Sequence, residues 1–143
     1  MRSVPIVVLV LILCAGFVCV AWGQQPPSKC PNSWAQFHRY NMQRWNLCEK
    51  VLSINNVGSL SLKWTYATAK EVDSSPAIAN GVVYIGSDLG DNKVYALNAT
   101  TGAVLWSYTT SDGVTSAPGV SNGVVYVDGA EVYALNAKTG TLL

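Results

Sequence analysis

The chain has 143 residues, half of them apolar and 12% charged, with a formal net charge of +1. That length bounds it at about one domain. Nine basic against eight acidic residues, with no basic run or stripe, argue against nucleic acid or an anionic lipid surface as a partner.

Met1-Arg2 is followed by an almost unbroken apolar run from Val4 to Trp22, and Ala21-Trp22-Gly23 places small residues at −3 and −1 before Gln24. This is the pattern of a cleaved signal peptide over residues 1–23, helical only in a membrane or translocon. The competing reading is an uncleaved anchor, because the run is about as long as a membrane span. That segment is the one expected route to a membrane. Lipid attachment is disfavoured, since Cys14 follows Leu13 and Cys19 follows Val18, where a small residue is needed. Loss of residues 1–23 also removes Arg2 and leaves a formally neutral chain. The expected location is periplasmic or extracellular.

Residues 24–58 form a lead-in with Pro26, Pro27 and Pro31 and few strand signals. Cys30 and Cys48 are the only thiols outside the signal. In an oxidising compartment two such thiols usually pair, so a Cys30–Cys48 bridge is expected; two free cysteines are the alternative. Neither belongs to a Cys-x-x-Cys or Cys-x-x-Cys-His pattern, so redox chemistry and haem attachment lack local support. His38 is the single histidine. With no second candidate ligand nearby it reads as a packing or exposed residue.

The rest is repetitive. Ser74-Ser75-Pro76-Ala77-Ile78-Ala79-Asn80-Gly81-Val82-Val83-Tyr84 recurs as Ser116 to Tyr126 at an offset of 42, and Trp64-Thr65-Tyr66 recurs as Trp106-Ser107-Tyr108 at the same offset. Val94 to Gly102 recurs as Val132 to Gly140 at an offset of 38. The four-residue difference falls between Tyr84 and Val94. A period of about forty residues matches one four-stranded propeller blade. Asn80-Gly81 and Asn122-Gly123 between β-branched runs predict type I′ hairpins, and Asp128-Gly129 predicts another. The first repeat therefore predicts strands near 74–79, 82–87, 93–98 and 103–108. The fold class is all-β: an incomplete β-propeller of four-stranded antiparallel blades over 59–143. It comprises a closing strand at 60–66, a blade at 74–108 and a truncated blade at 116–143. An N-terminal strand of this kind completes a blade begun by the C-terminus.

Ala96, Asn98, Thr101, Gly102 and Trp106 fit the pattern A-x-[DN]-x-x-T-G-x-x-x-W, and Ala134, Asn136, Thr139 and Gly140 repeat it up to the due tryptophan. This resembles the tryptophan-docking motif of the quinoprotein (PQQ-type) propeller repeats. Trp34 to Phe37 and Asn56 to Trp64 resemble the segment before the first full blade of that family. The resemblance implies that Trp64 and Trp106 wedge between neighbouring blades, with the glycine turns admitting close backbone approach. It also implies two functions. One is an exported, non-catalytic scaffold or binding module whose partner is a protein or further blades of the same propeller. The other is the N-terminal piece of a PQQ-dependent alcohol or polyvinyl alcohol dehydrogenase. Only the second would bring PQQ and calcium, and no residue here matches a catalytic, cofactor-binding or metal position of that family. There is no adjacent cysteine pair. The regular repeats and short turns favour the first.

The remaining polar residues read as structural. Asp88 to Asn92 lacks the ligand alternation of a calcium loop and is expected to be a solvated hairpin loop. Asp73 reads as turn chemistry. Ser74, Ser75 and Ser116 have no His–Asp pair to activate them. Asn98-Ala99-Thr100 is a glycosylation sequon relevant only in a eukaryotic secretory route.

The motif register places a tryptophan at the position after Leu143, so further repeats are expected downstream. Without them the isolated arc is expected to be marginal and to aggregate or assemble into a ring of copies. Intact mass of the exported product should begin at Gln24 and fall about 2 Da on forming the Cys30–Cys48 bridge. A product retaining Met1, or two thiols alkylated without reduction, contradicts this expectation.

Overall fold

The computed structural model describes residues 50–88 and 90–143. The apolar run, Cys30, Cys48 and His38 lie outside the described residues. Among the described residues no helix is long and apolar enough to cross a membrane.

Two antiparallel sheets follow a short 3-10 turn at Val57–Ser59. The first is β1 (Ala77–Ala79), β2 (Val82–Ser87), β3 (Lys93–Asn98) and β4 (Val104–Thr109), paired in chain order. The second is β5 (Gly119–Ser121), β6 (Val124–Gly129) and β7 (Glu131–Asn136), also in order. These are one four-stranded blade and three strands of the next. The Asn-Gly turns behave as their chemistry demands. Asn80 and Gly81 sit at φ 51° and 76°, Asn122 and Gly123 at 50° and 78°. Two consecutive positive φ values are what a twisted two-residue hairpin requires. The resulting pairs Ala79↔Val82 and Ser121↔Val124 fix both registers.

One expected turn moves. Asp128 and Gly129 belong to β6, and Ala130 alone, at φ 67°, forms the tip. Gly129 is required for space: a Cβ there would lie 2.9 Å from Thr110 Cβ. The sequence pattern recognises a glycine near a turn but not which glycine lies under a neighbouring segment.

The span 60–66 also differs from expectation, forming no hydrogen-bonded strand. Leu60, Leu62, Trp64 and Tyr66 alternate with polar residues, as a half-buried strand requires. Among the described residues, however, no strand lies beside that backbone to form a ladder. In the second blade the fourth position is marked by one isolated bridge, Leu135↔Leu142.

The core lies between the blades. Ala79, Tyr84, Val94, Ala96 and Trp106 of the first blade meet Val125, Val127 and Leu135 of the second, with Val114 of the connector between them. Val94, Val114, Val125 and Leu135 are fully buried, each stabilising by about 1.5–3 kcal/mol. Gly86 admits Val114 to β2: a Cβ on it would sit 2.4 Å from Val114 Cγ1 and 2.6 Å from the Val114 carbonyl oxygen. Gly86→Ala should therefore destabilise by about 1–3 kcal/mol, as overpacking does. Urea melts would check this, and an unchanged midpoint would contradict the packing.

Candidate functional site

Each motif residue has a local task. Asn98 Oδ1 accepts hydrogen bonds from the Thr100 and Thr101 amides at 2.8 and 3.0 Å, closing a turn that brings the Gly102 amide to the Asn98 carbonyl at 2.8 Å. Asn136 repeats this with Lys138 and Thr139 at 2.9 and 3.1 Å, and Gly140 returns to Asn136 at 2.8 Å. Gly102 and Gly140 take φ 75° and 73°, which a side chain strongly disfavours. Ala96, fully buried, pairs with Trp106 across β3 and β4. Ala134 holds the corresponding position on β7, where its carbonyl accepts the Leu143 amide at 2.9 Å.

The tryptophans reach forward, each onto the turn of the following motif. Trp64 Nε1 donates to the Ala99 carbonyl at 3.1 Å, and Trp106 Nε1 donates to the Ala137 carbonyl at 3.0 Å. The rings lie flat enough on the glycines that a Cβ on Gly102 or Gly140 would come within 2.6 Å of ring carbon. Tyr84 joins the second contact, its hydroxyl donating to the same Ala137 carbonyl at 3.1 Å and its ring lying 5.8 Å from Trp106. Burial raises the Tyr84 hydroxyl above its ordinary pKa, so it stays a donor. Sequence reasoning missed Tyr84. Its signal was present, since Tyr84 and Tyr126 occupy the same repeat position, but a strand tyrosine does not announce its partner.

Beside this lock is a groove of about 570 Å³ lined by turn residues of both blades, including Asn80, Asn122, Lys138 and Thr139. On the opposite rim the longer β2–β3 loop carries a polar cluster. Asp91 is 7% exposed and its side chain 2%. It accepts the Tyr95 hydroxyl at 2.6 Å and pairs with Lys93 Nζ at 3.1 Å. Asp91 is thus not the solvated loop residue its sequence suggested; folding back onto Tyr95 buries it. Burial alone would raise its carboxyl, but the Tyr95 and Lys93 hydrogen bonds and the Lys93 charge outweigh that and lower it. The fully buried Ser87 hydroxyl faces the same carboxylate without a hydrogen bond of good geometry, so the anchoring belongs to Tyr95 and Lys93. Burial and the adjacent carboxylate push the Tyr95 hydroxyl well up. Ser74 is also committed: its hydroxyl bonds both the Gly86 amide and carbonyl, at 2.8 and 3.1 Å.

Residues 50–143 match the family described as outer membrane protein assembly factor BamB. The chain belongs to this family of PQQ-type propeller repeats. No curated protein matches it. Among solved structures it resembles quinohemoprotein alcohol dehydrogenase from Comamonas testosteroni, with TM-score 0.67 and 24% identity over 78% of this chain and 18% of that one. BamB from Moraxella catarrhalis gives 0.52 and 23% over 57% and 26%. A europium-containing methanol dehydrogenase gives 0.50 and 27% over 57% and 18%. The first two likenesses concern the fold alone. The chain spans between 18% and 26% of the length of these structures.

Among the described residues no three His, Cys, Asp or Glu side chains converge as metal ligands. The buried Asp91 carboxylate is already held by Tyr95 and Lys93.

Two outcomes follow from the geometry. Trp106→Ala should destabilise by about 3–5 kcal/mol, and Gly140→Ala should do so by at least about 1 kcal/mol through overpacking. In the Trp106→Ala background the part of the Gly140→Ala cost that comes from striking the ring should vanish and only the positive-φ strain should remain; simple additivity in urea melts would contradict the contact. Asp91 has a lowered folded pKa, so its stabilisation is present above the ordinary value of 3.8 and is lost as pH falls below it. Asp91→Asn should lower Tm at neutral pH, with the gap to wild type narrowing under acid. A constant gap from pH 7 to 2 would contradict that assignment.

Proposed function

We propose that this chain is part of an exported, non-catalytic PQQ-like propeller that works as a scaffold or binding module. The observation that carries this reading is the use made of its polar and aromatic residues. Both indoles, the Tyr84 hydroxyl, Ser74 and both Asn turns are engaged in holding strands and blades together. Among the described residues, short turns leave no inserted loop over the inter-blade groove, which could take an external protein segment. Export to the periplasm or beyond rests on the apolar run and small residues ahead of Gln24. The partner is a protein or further blades of the same propeller.

The second reading is the N-terminal piece of a PQQ-dependent alcohol or polyvinyl alcohol dehydrogenase. The 27% identity to the europium-containing methanol dehydrogenase favours it. It would require reactive groups from outside the residues described.

The deciding experiment adds PQQ and calcium to the purified full-length protein and follows dye-linked oxidation of ethanol and polyvinyl alcohol. The expected result is no turnover above a protein-free control and no change in the quinone absorbance. Cofactor-dependent turnover would overturn the scaffold reading.

A further inference from the structure

The groove between the two blades carries polar groups that the fold does not use. Asn98 and Asn136 commit their side chains to their own turns. The exposed Asn80 and Asn122 carboxamides, at the two hairpin tips, make no hydrogen bond among the described residues. Lys138 lines the same groove and has no ion-pair partner among them. That lysine departs from the repeat. Residues 94–102 and 132–140 differ at one position, Thr100 against Lys138. The turn does not need its side chain, because the Lys138 amide bonds Asn136 Oδ1 at 2.9 Å as the Thr100 amide bonds Asn98 Oδ1 at 2.8 Å.

The carboxylates lie at the other end of the strands. Glu71 and Asp73 precede β1, Asp88 and Asp91 lie in the β2–β3 loop, Asp112 lies in the β4–β5 connection, and Asp128 and Glu131 flank the β6–β7 tip. Asn80, Asn122 and Lys138 sit at the opposite strand ends. A strand the length of β2 holds its ends about 20 Å apart, against a screening length of about 8 Å at physiological salt. The Lys138 charge is therefore neither paired nor offset by a described carboxylate.

We propose that this groove binds an acidic peptide segment of a partner protein, with a carboxylate paired to Lys138. The inference rests on the binding-module reading and specifies the partner's chemistry. The Asn80 and Asn122 carboxamides each offer a donor and an acceptor, as a peptide main chain requires. Half-buried Val82 supplies an apolar floor. The volume of about 570 Å³ falls in the range of sites for small ligands, about 300–1,000 Å³, so it suits a short segment. A sugar fits less well, because the aromatic side chain lining the groove, Tyr84, is 3% exposed and packed on Trp106, leaving no ring face for stacking.

The test screens the full-length protein against a library of acetylated, amidated random heptapeptides, with galacturonic acid oligomers as a second probe. Selected peptides should carry Asp or Glu, perturb the Asn80 and Asn122 side-chain amides in NMR spectra and bind more weakly as salt rises. Lys138→Thr, which matches the first blade, should weaken them about fivefold. Lys138→Arg should retain binding and Lys138→Glu should abolish it, with the urea midpoint unchanged in all three. Groove-binding peptides without acidic enrichment, or with full affinity for Lys138→Thr, would overturn the acidic occupant and leave the binding-module reading standing. Absence of any peptide binding, or uptake of galacturonate oligomers in place of peptides, would overturn it too. Failure of the binding-module reading itself shows separately, as cofactor-dependent turnover.

Discussion

An indole N–H given to a carbonyl of the next blade is the contact on which the arrangement depends. A buried indole must place its hydrogen, and here each does so across a blade boundary, on Ala99 or Ala137. The ring can reach that carbonyl only because the turn ends in a glycine at positive φ with no Cβ in the way. The Asn98 and Asn136 side chains hold those turns in shape. Tryptophan, glycine and asparagine therefore act as one unit spread over successive repeats. A blade carries half of two such units and finishes neither alone. Repeat architectures gain stability in this way, through each neighbour.

Above that shared lock the two blades diverge where their loops differ. In the first, four extra residues let Asp91 fold back on Tyr95 and meet Lys93. In the second, the tip shrinks to Ala130 and the matching tyrosine, Tyr133, donates to Ser111 Oγ at 2.8 Å and accepts the Ser111 amide at 3.0 Å. Both tyrosines also pack on the tyrosine of the preceding Trp-x-Tyr segment, Tyr66 at 5.4 Å and Tyr108 at 5.7 Å. The repeat thus keeps an aromatic pair and lets the hydroxyl find whatever polar group the local loop supplies. Such variation satisfies the buried hydroxyls in each loop setting.

Strand positions and the Asn-Gly hairpins were legible in the sequence because they depend on local chemistry: alternation, β-branching and two residues that tolerate positive φ. The docking motif was legible as a pattern, but its pairing was not. Nothing local tells that Trp106 seeks Gly140 rather than the Gly102 of its own motif. Asp91 was misread for the same reason, since an Asp in a Gly-Asn loop looks solvated until the loop is seen to fold over Tyr95. Residues 60–66 present the opposite case. Their pattern is that of a strand, but a ladder needs a partner that the pattern cannot supply.

The central claim is that the forward indole contact holds successive blades together, and hydrogen exchange of the indole protons tests it most directly. If it is right, the Trp106 Nε1 proton should exchange only with global unfolding, at the rate of the most protected β3 and β6 amides. Exchange of the Trp106 indole at the rate of a solvent-exposed tryptophan, while the β3 and β6 amides stay protected, would contradict it.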